Sequence, residues 1–227
     1  MTIQLKKSLI GAILAVACLA TPQAQAQFAV QIGGNTCFDN AACDTNSTVG
    51  VINYTAVTPN FILTLNVGST NSPGGPAFSF LDMIWGAIAG ANLPANTQIQ
   101  FLASATGFAF PATGATSLMQ TQLNGNVSPG GGSAAGIAWI DFSNSLFGTG
   151  GVDATTGAQA LNTSNSTLFL SQTLYSITQE LSLTLNPNGI TTGDMLTTVV
   201  PEPAPLALIG IALAALALAR RREKNSM

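Results

Sequence analysis

Histidine is absent from all 227 residues, and the chain holds only six lysines and arginines. Lys6 and Lys7 stand near its start and Arg220, Arg221, Arg222 and Lys224 near its end, so the 173 residues from Gln27 to Val199 carry no cationic side chain. Without histidine there is no Ser-His-Asp or Cys-His pair and no imidazole metal site. Without lysine or arginine there is no Schiff base, oxyanion clamp or phosphate clamp. Nucleic acid and anionic membrane surfaces are excluded as partners, because nothing in this stretch can displace their counterions. The acids that remain are Asp39, Asp44, Asp82, Asp141, Asp153, Glu180 and Asp194, a formal charge of −7. Two carboxyls about 5 to 10 Å apart in a cleft would be the one catalytic device left, that of a glycosidase. No local motif marks such a pair, so the expectation is a protein that is not an enzyme and uses no cofactor. The stretch is long enough for one domain with a substantial core.

Long apolar runs are confined to the two ends. Met1 to Lys7 carries two lysines, Ser8 to Ala20 is apolar, and Ala24-Gln25-Ala26 is a small-x-small cleavage site. That is a secretory signal peptide over residues 1–26, to be removed by signal peptidase so that Gln27 becomes the N-terminus. A rival reading makes Cys18, preceded by the small residues Ala15-Val16-Ala17, a lipid-attachment cysteine. At the other end, Leu206 to Ala219 contains no charged residue, and three arginines follow at once. Those 14 residues make a helix about 21 Å long, short against a hydrocarbon core of about 30 Å. Arg220, Arg221 and Arg222 stop transfer and place the C-terminus in the cytoplasm, with their stems stretching the effective span. The remainder of the chain is then outside. Just before the span, Pro201 and Pro203 bracket Glu202, a stiff extended strip that neither helix nor sheet is expected to absorb. A permanent anchor with a proline-rich stalk is the plainer reading of this tail.

Pro-Glu-Pro, a short apolar helix and an arginine cluster at the extreme C-terminus resemble the PEP-CTERM sorting signal, a tail also described as the C-terminal domain of ice-binding proteins. The resemblance covers residues 200–227, with the motif at 201–203, the transmembrane helix at 204–219 and the basic tail at 220–227. It implies that exosortase, a membrane-embedded cysteine transpeptidase, cuts near Pro201-Glu202-Pro203 as the protein passes through the inner membrane to the surface of Gram-negative bacteria that make exopolysaccharide. It implies nothing about the domain being sorted.

Cysteine is scarce. Once the signal is removed, Cys37 and Cys43 remain, and in an oxidising compartment they read as a disulfide. Two thiols alone are too few for a structural zinc site. Asp39, Asn40, Asp44 and Asn46 beside them could gather oxygens around calcium, although their order fits no calcium loop and a solvated acidic turn is the simpler reading. No metal is therefore assigned.

Period-two alternation runs through Phe61 to Val67 and Tyr175 to Asn186, the pattern of strands with one wet face. Further strands are expected at 28–32, 49–57, 77–89, 97–103, 117–127, 135–142, 167–170 and 195–200. Proline, glycine and asparagine clusters separate them, and no segment offers a capped amphipathic helix. Residues 27–199 thus read as an all-β domain, an antiparallel β-sandwich of eight to ten strands flanked by the signal helix and the transmembrane helix. Asp82 to Trp85 and Trp139 to Asp141 each set an indole near an acid, as sugar sites do. Trp139 is expected in the core, and Trp85 is left open between core and surface.

The interior also resembles other PEP-CTERM proteins at Cys37 to Asn40, Cys43-Asp44, Gly50 to Ile52, Ser145 to Gly148 and Tyr175 to Gln179, which implies the sorted group and no site. Threonine, serine, asparagine and glutamine take the place of surface charge. Such a surface suits a passive structural or adhesive component of the cell surface or exopolysaccharide matrix, or else a module that hydrogen-bonds neutral carbohydrate or ice. A carboxylate glycosidase is the remote third possibility.

Overall fold

The computed structural model describes residues 26–70, 78–109, 116–149, 154–172 and 174–201. All regular elements among them are strands: β1 (Phe28–Ile32), β2 (Asn35–Phe38), β3 (Val51–Val57), β4 (Phe61–Thr70), β5 (Ser79–Ala89), β6 (Thr97–Ala109), β7 (Thr116–Val127), β8 (Gly132–Asp141), β9 (Ala154–Thr155), β10 (Gln159–Ala160), β11 (Thr163–Leu170), β12 (Leu174–Leu185) and β13 (Ile190–Pro201). They form two antiparallel sheets. The first runs β10-β8-β12-β6-β1-β2, with β9 also on β8, and the second runs β11-β7-β13-β5-β4-β3.

Alternation produces the two layers. Leu63, Leu65 and Val67 of β4 and Leu81, Met83, Trp85 and Ala87 of β5 point inward and meet Phe101, Ile177, Leu181, Leu183 and Leu185 of the facing sheet in one core. The sandwich is as expected, but the described residues form thirteen strands where about eight to ten were expected. Two of the additional strands, β9 and β10, have two residues each and β2 has four, too few to display a period. Two expected ends also move. β6 continues past Ala103 through Ser104 and Thr106, polar positions that are buried because Ser104 shares a hydrogen bond with Thr178 at 2.9 Å and the Thr106 amide donates to the Gln27 carbonyl at 2.9 Å. β13 starts five residues before Met195 and runs on to Pro201, which lies opposite Ser117. The sheet therefore does absorb the first proline of the triplet. A proline at the last rung costs the ladder at most one donor.

Polar groups tie the sheets together inside the core. The Tyr175 hydroxyl donates to Ser79 Oγ at 2.7 Å, and burial pushes its pKa well above the usual tyrosine range. Gln179 Nε2 reaches the carbonyls of Leu81 (2.9 Å) and Met195 (3.0 Å) and Thr197 Oγ1 (2.8 Å), and Thr197 meets Thr121 at 3.0 Å. A buried amide with its donors occupied is tolerated in an apolar layer and fixes how the sheets register.

Candidate functional site

The outer face of the second sheet gathers the polar side chains into rows. Thr55, Thr64, Gly86, Thr192 and Asn126 stand side by side across five strands, and Asn53, Asn66, Ile84, Asp194 and Asn124 form the next rung. Between them lies a shallow cavity of about 370 Å³ lined by Thr45, Asn53, Thr55, Thr64, Asn66 and Gly86, among others. Gly86 keeps it open, since a Cβ there would sit 3.1 Å from Thr64 Oγ1. Asn53 Oδ1 is buried at its edge with no partner among the described residues. The lining joins these hydroxyls and amides to the apolar Leu65, Ile84 and Trp85 and carries no charge, a set that recognises neutral groups.

Asp82 and Asp194 share this face. Asp82 lies opposite Leu196 and Asp194 opposite Ile84, so the two acids are diagonal neighbours on β5 and β13. Diagonal partners lie about 7 to 8 Å apart. Burial first, and then the charge of Asp194, raise the pKa of Asp82. Asn124 Nδ2 donates to Asp194 Oδ2 at 3.2 Å. A separation of 112 in sequence hides the proximity of these acids from any reading of local motifs.

Cys37 and Cys43 are joined by a disulfide, with Cα atoms 5.8 Å apart. The acids beside it, Asp39 and Asp44, lie in and directly after a partly exposed turn. Asp44 accepts from the amides of Asn40 (3.1 Å), Asn46 (2.8 Å) and Asn53 (2.9 Å), and Asp39 accepts from Gly50 N at 2.9 Å. Their oxygens hold backbone, and among the described residues no three His, Cys, Asp or Glu side chains converge as metal ligands. The Thr45 amide also donates to the Asn53 carbonyl at 3.0 Å. The cross-linked loop thereby covers part of the free edge of β3, the last strand of its sheet.

Trp139, expected in the core, is on the outside, and Trp85, left open by the sequence, is in the core. Trp85 is only 2% exposed, on the inward side of β5, where its ring occupies the space a side chain at Gly193 would fill. Trp139 lies half-buried on the outer side of β8 opposite Thr178 and Thr155, because Ala138 and Ile140 take the inward positions. Neither forms a sugar platform with its neighbouring acid: Asp82 faces away from Trp85 on the same strand, and Asp141 holds Ser143. The Ser145 to Gly148 and Tyr175 to Gln179 stretches meet through Ser104, which accepts from Phe147 N at 2.9 Å as well as pairing with Thr178. Their role is to seat a loop on the first sheet.

At the N-terminal end, the Gln27 amide donates to Thr106 Oγ1 at 2.9 Å, directly after Ala26. Ala24, Glu202, Pro203 and Arg220 to Arg222 lie outside the described residues, as do the helices assigned to the signal and to the tail. At the C-terminal end, β13 carries Val199, Val200 and Pro201 to the edge of the fold. From Val199 onward, residues 199–222 match the family described as "PEP-CTERM protein-sorting motif". The chain ends in a PEP-CTERM sorting signal. The motif implies an exported protein that exosortase processes and that is sorted to the cell surface.

No curated protein sequence matches the chain. Among solved structures it is similar to the enzymatically active domain of tailspike protein 4 of bacteriophage CBA120, at 12% identity and TM-score 0.28 over 68% of this chain. It spans 20% of that chain's length. It is also similar to a "Family 16 Carbohydrate Binding Module-2" (10% identity, TM-score 0.25, 58% of this chain and 84% of the other) and to module CBM6cm-2 from Cellvibrio mixtus lichenase 5A (9%, 0.19, 69% and 92%). Likenesses at that level support no assignment of fold or activity.

Proposed function

We propose that the sorted domain is a structural or adhesive component of the cell surface or exopolysaccharide matrix and is not an enzyme. One observation carries this reading: the C-terminal sorting motif is joined to a domain with no lysine, arginine or histidine. A matrix protein of this kind needs solubility and a protease-resistant surface, and a sheet of threonine and asparagine supplies both without basic cleavage sites. Its partners are signal peptidase and exosortase in transit, and exopolysaccharide at its destination.

A second reading rests on the cavity between Asn53, Asn66 and Thr64, whose uncharged lining suits a neutral glycan. Retention of the mature protein on polysaccharide from its own matrix separates the two. Glycan recognition predicts retention that persists at 1 M salt, where ionic contacts are screened within about 3 Å, and that is lost in the Asn53→Ala, Asn66→Ala double variant. The purely structural reading predicts no retention on the isolated polymer. The carboxylate pair on this face, Asp82 and Asp194, does not line the cavity, which counts against a glycosidase there.

A further inference from the structure

On the outer face of the second sheet, beside the point where the tail departs, the described residues form an apolar row. Val200 on β13 lies opposite Leu118 on β7, which lies opposite Leu168 on β11. Leu168 and Leu170 are 58% and 63% exposed, and Leu174, at the start of β12 on the first sheet, is also exposed. The nearest carboxylate on the first sheet is Asp141, opposite Ser176, and it is buried and bonded to Ser143. From Pro201 the sequence needs only five residues to reach Leu206, where the uncharged run begins. Five extended residues span at most about 18 Å, whereas β13 itself is about 40 Å long.

We propose that this end rests on the lipid bilayer while the tail is still attached, with Leu168, Leu170, Leu174 and Val200 in the interfacial layer. The inference rests on the sorting reading, since the tail supplies the tether. The cation-free domain has no electrostatic attraction for headgroups, so contact depends on the short leash and on apolar area. Its consequence is positional: Pro201-Glu202-Pro203 is held at the membrane boundary, where a membrane-embedded peptidase works, instead of swinging free. When the tail is cut the leash is lost and the domain leaves.

A second apolar row provides the control. Val57, Ile62, Ile88 and Ile190 line up across four strands at the opposite end of the same face, ten residues along β13 from Val200. The tail-bearing form, purified from an exosortase-deficient strain and placed in phosphatidylcholine vesicles with or without brominated acyl chains, is compared as Leu170→Trp, Leu168→Trp and Val57→Trp. Over the background of Trp85 and Trp139 in the parent, the two β11 variants should lose at least half of their added fluorescence to the bromines. Val57→Trp should lose none. Equal quenching at both ends, or none at β11, overturns the proposal; if cross-linking then joins two chains through β11, the end is covered by a second copy. Alkaline extraction of the same vesicles separates the failures. A chain that washes off had no inserted tail, and the sorting reading falls with the inference. A chain that stays while Leu170→Trp is unquenched leaves sorting intact and refutes only the docking.

Discussion

Gly193 and Trp85 show how one small residue decides where a large one goes. With no side chain at Gly193, the indole of Trp85 lies flat inside the core. Both facts are invisible in sequence, where Trp85 sits in an alternating run whose two faces are almost equally apolar. Asp82, on the opposite side of that strand, is the residue whose titration reports the outer face. Its folded pKa is raised above the unfolded 3.8, by burial first and by Asp194 second. The folded state therefore binds the proton more tightly, so the stability linked to neutral Asp82 is full below pH 3.8 and is lost as pH rises through the folded value. Asp82→Asn keeps the neutral form at all pH. Its Tm should exceed the parent's at pH 7 and converge with it near pH 3, and Asp194→Asn should bring the Asp82 titration, followed by NMR, back toward the ordinary range. An unchanged Tm difference between pH 7 and pH 3 would mean that the folded pKa of Asp82 is not raised, and an Asp82 titration unmoved by Asp194→Asn would mean that the two acids do not interact.

At the scale of elements, β4 and β12 were legible because their alternation persists over seven and twelve residues, and β5 and β7 because turn clusters bound their apolar runs. β2, β9 and β10 were not, and β6 and β13 were truncated, because serine, threonine and glycine inside them look like turns until their buried partners across the sheet are known. The pairing of Cys37 with Cys43 was readable from compartment and count. What the loop does was not, since it depends on Asp44 and Thr45 reaching the edge of β3. Closing a loop of about seven residues is worth about 2 kcal/mol in the unfolded chain. The Cys37→Ala, Cys43→Ala variant should lose about that much in denaturant titration, with faster amide exchange at Asn53, while alkylation of the intact protein without reductant should label neither cysteine. Labelling of both, or protection of Asn53 equal to the parent's, would contradict the edge-cover role.

At the scale of the whole molecule, a sandwich free of cationic side chains stands between an expected export signal and a PEP-CTERM sorting motif. Their order along the chain was legible because each depends on a run of adjacent residues: lysines before an apolar stretch at the start, prolines before an apolar stretch and arginines at the end. The carboxylate pair and the apolar end are assembled from strands far apart in sequence and needed the fold. The central claim is that Pro201-Glu202-Pro203 is what exosortase reads. Pulse-labelling and fractionation of cells making a Pro201→Ala, Glu202→Ala, Pro203→Ala variant tests it most directly. Residues 1–26 still direct export, and Leu206 to Ala219 with the arginines still stop transfer. The variant should accordingly lose its signal peptide at the parent's rate, keep its C-terminal tail and accumulate in the inner membrane, while the parent appears outside without the tail. A variant released at the parent's rate with its tail removed, or a parent that keeps its tail, would contradict the account.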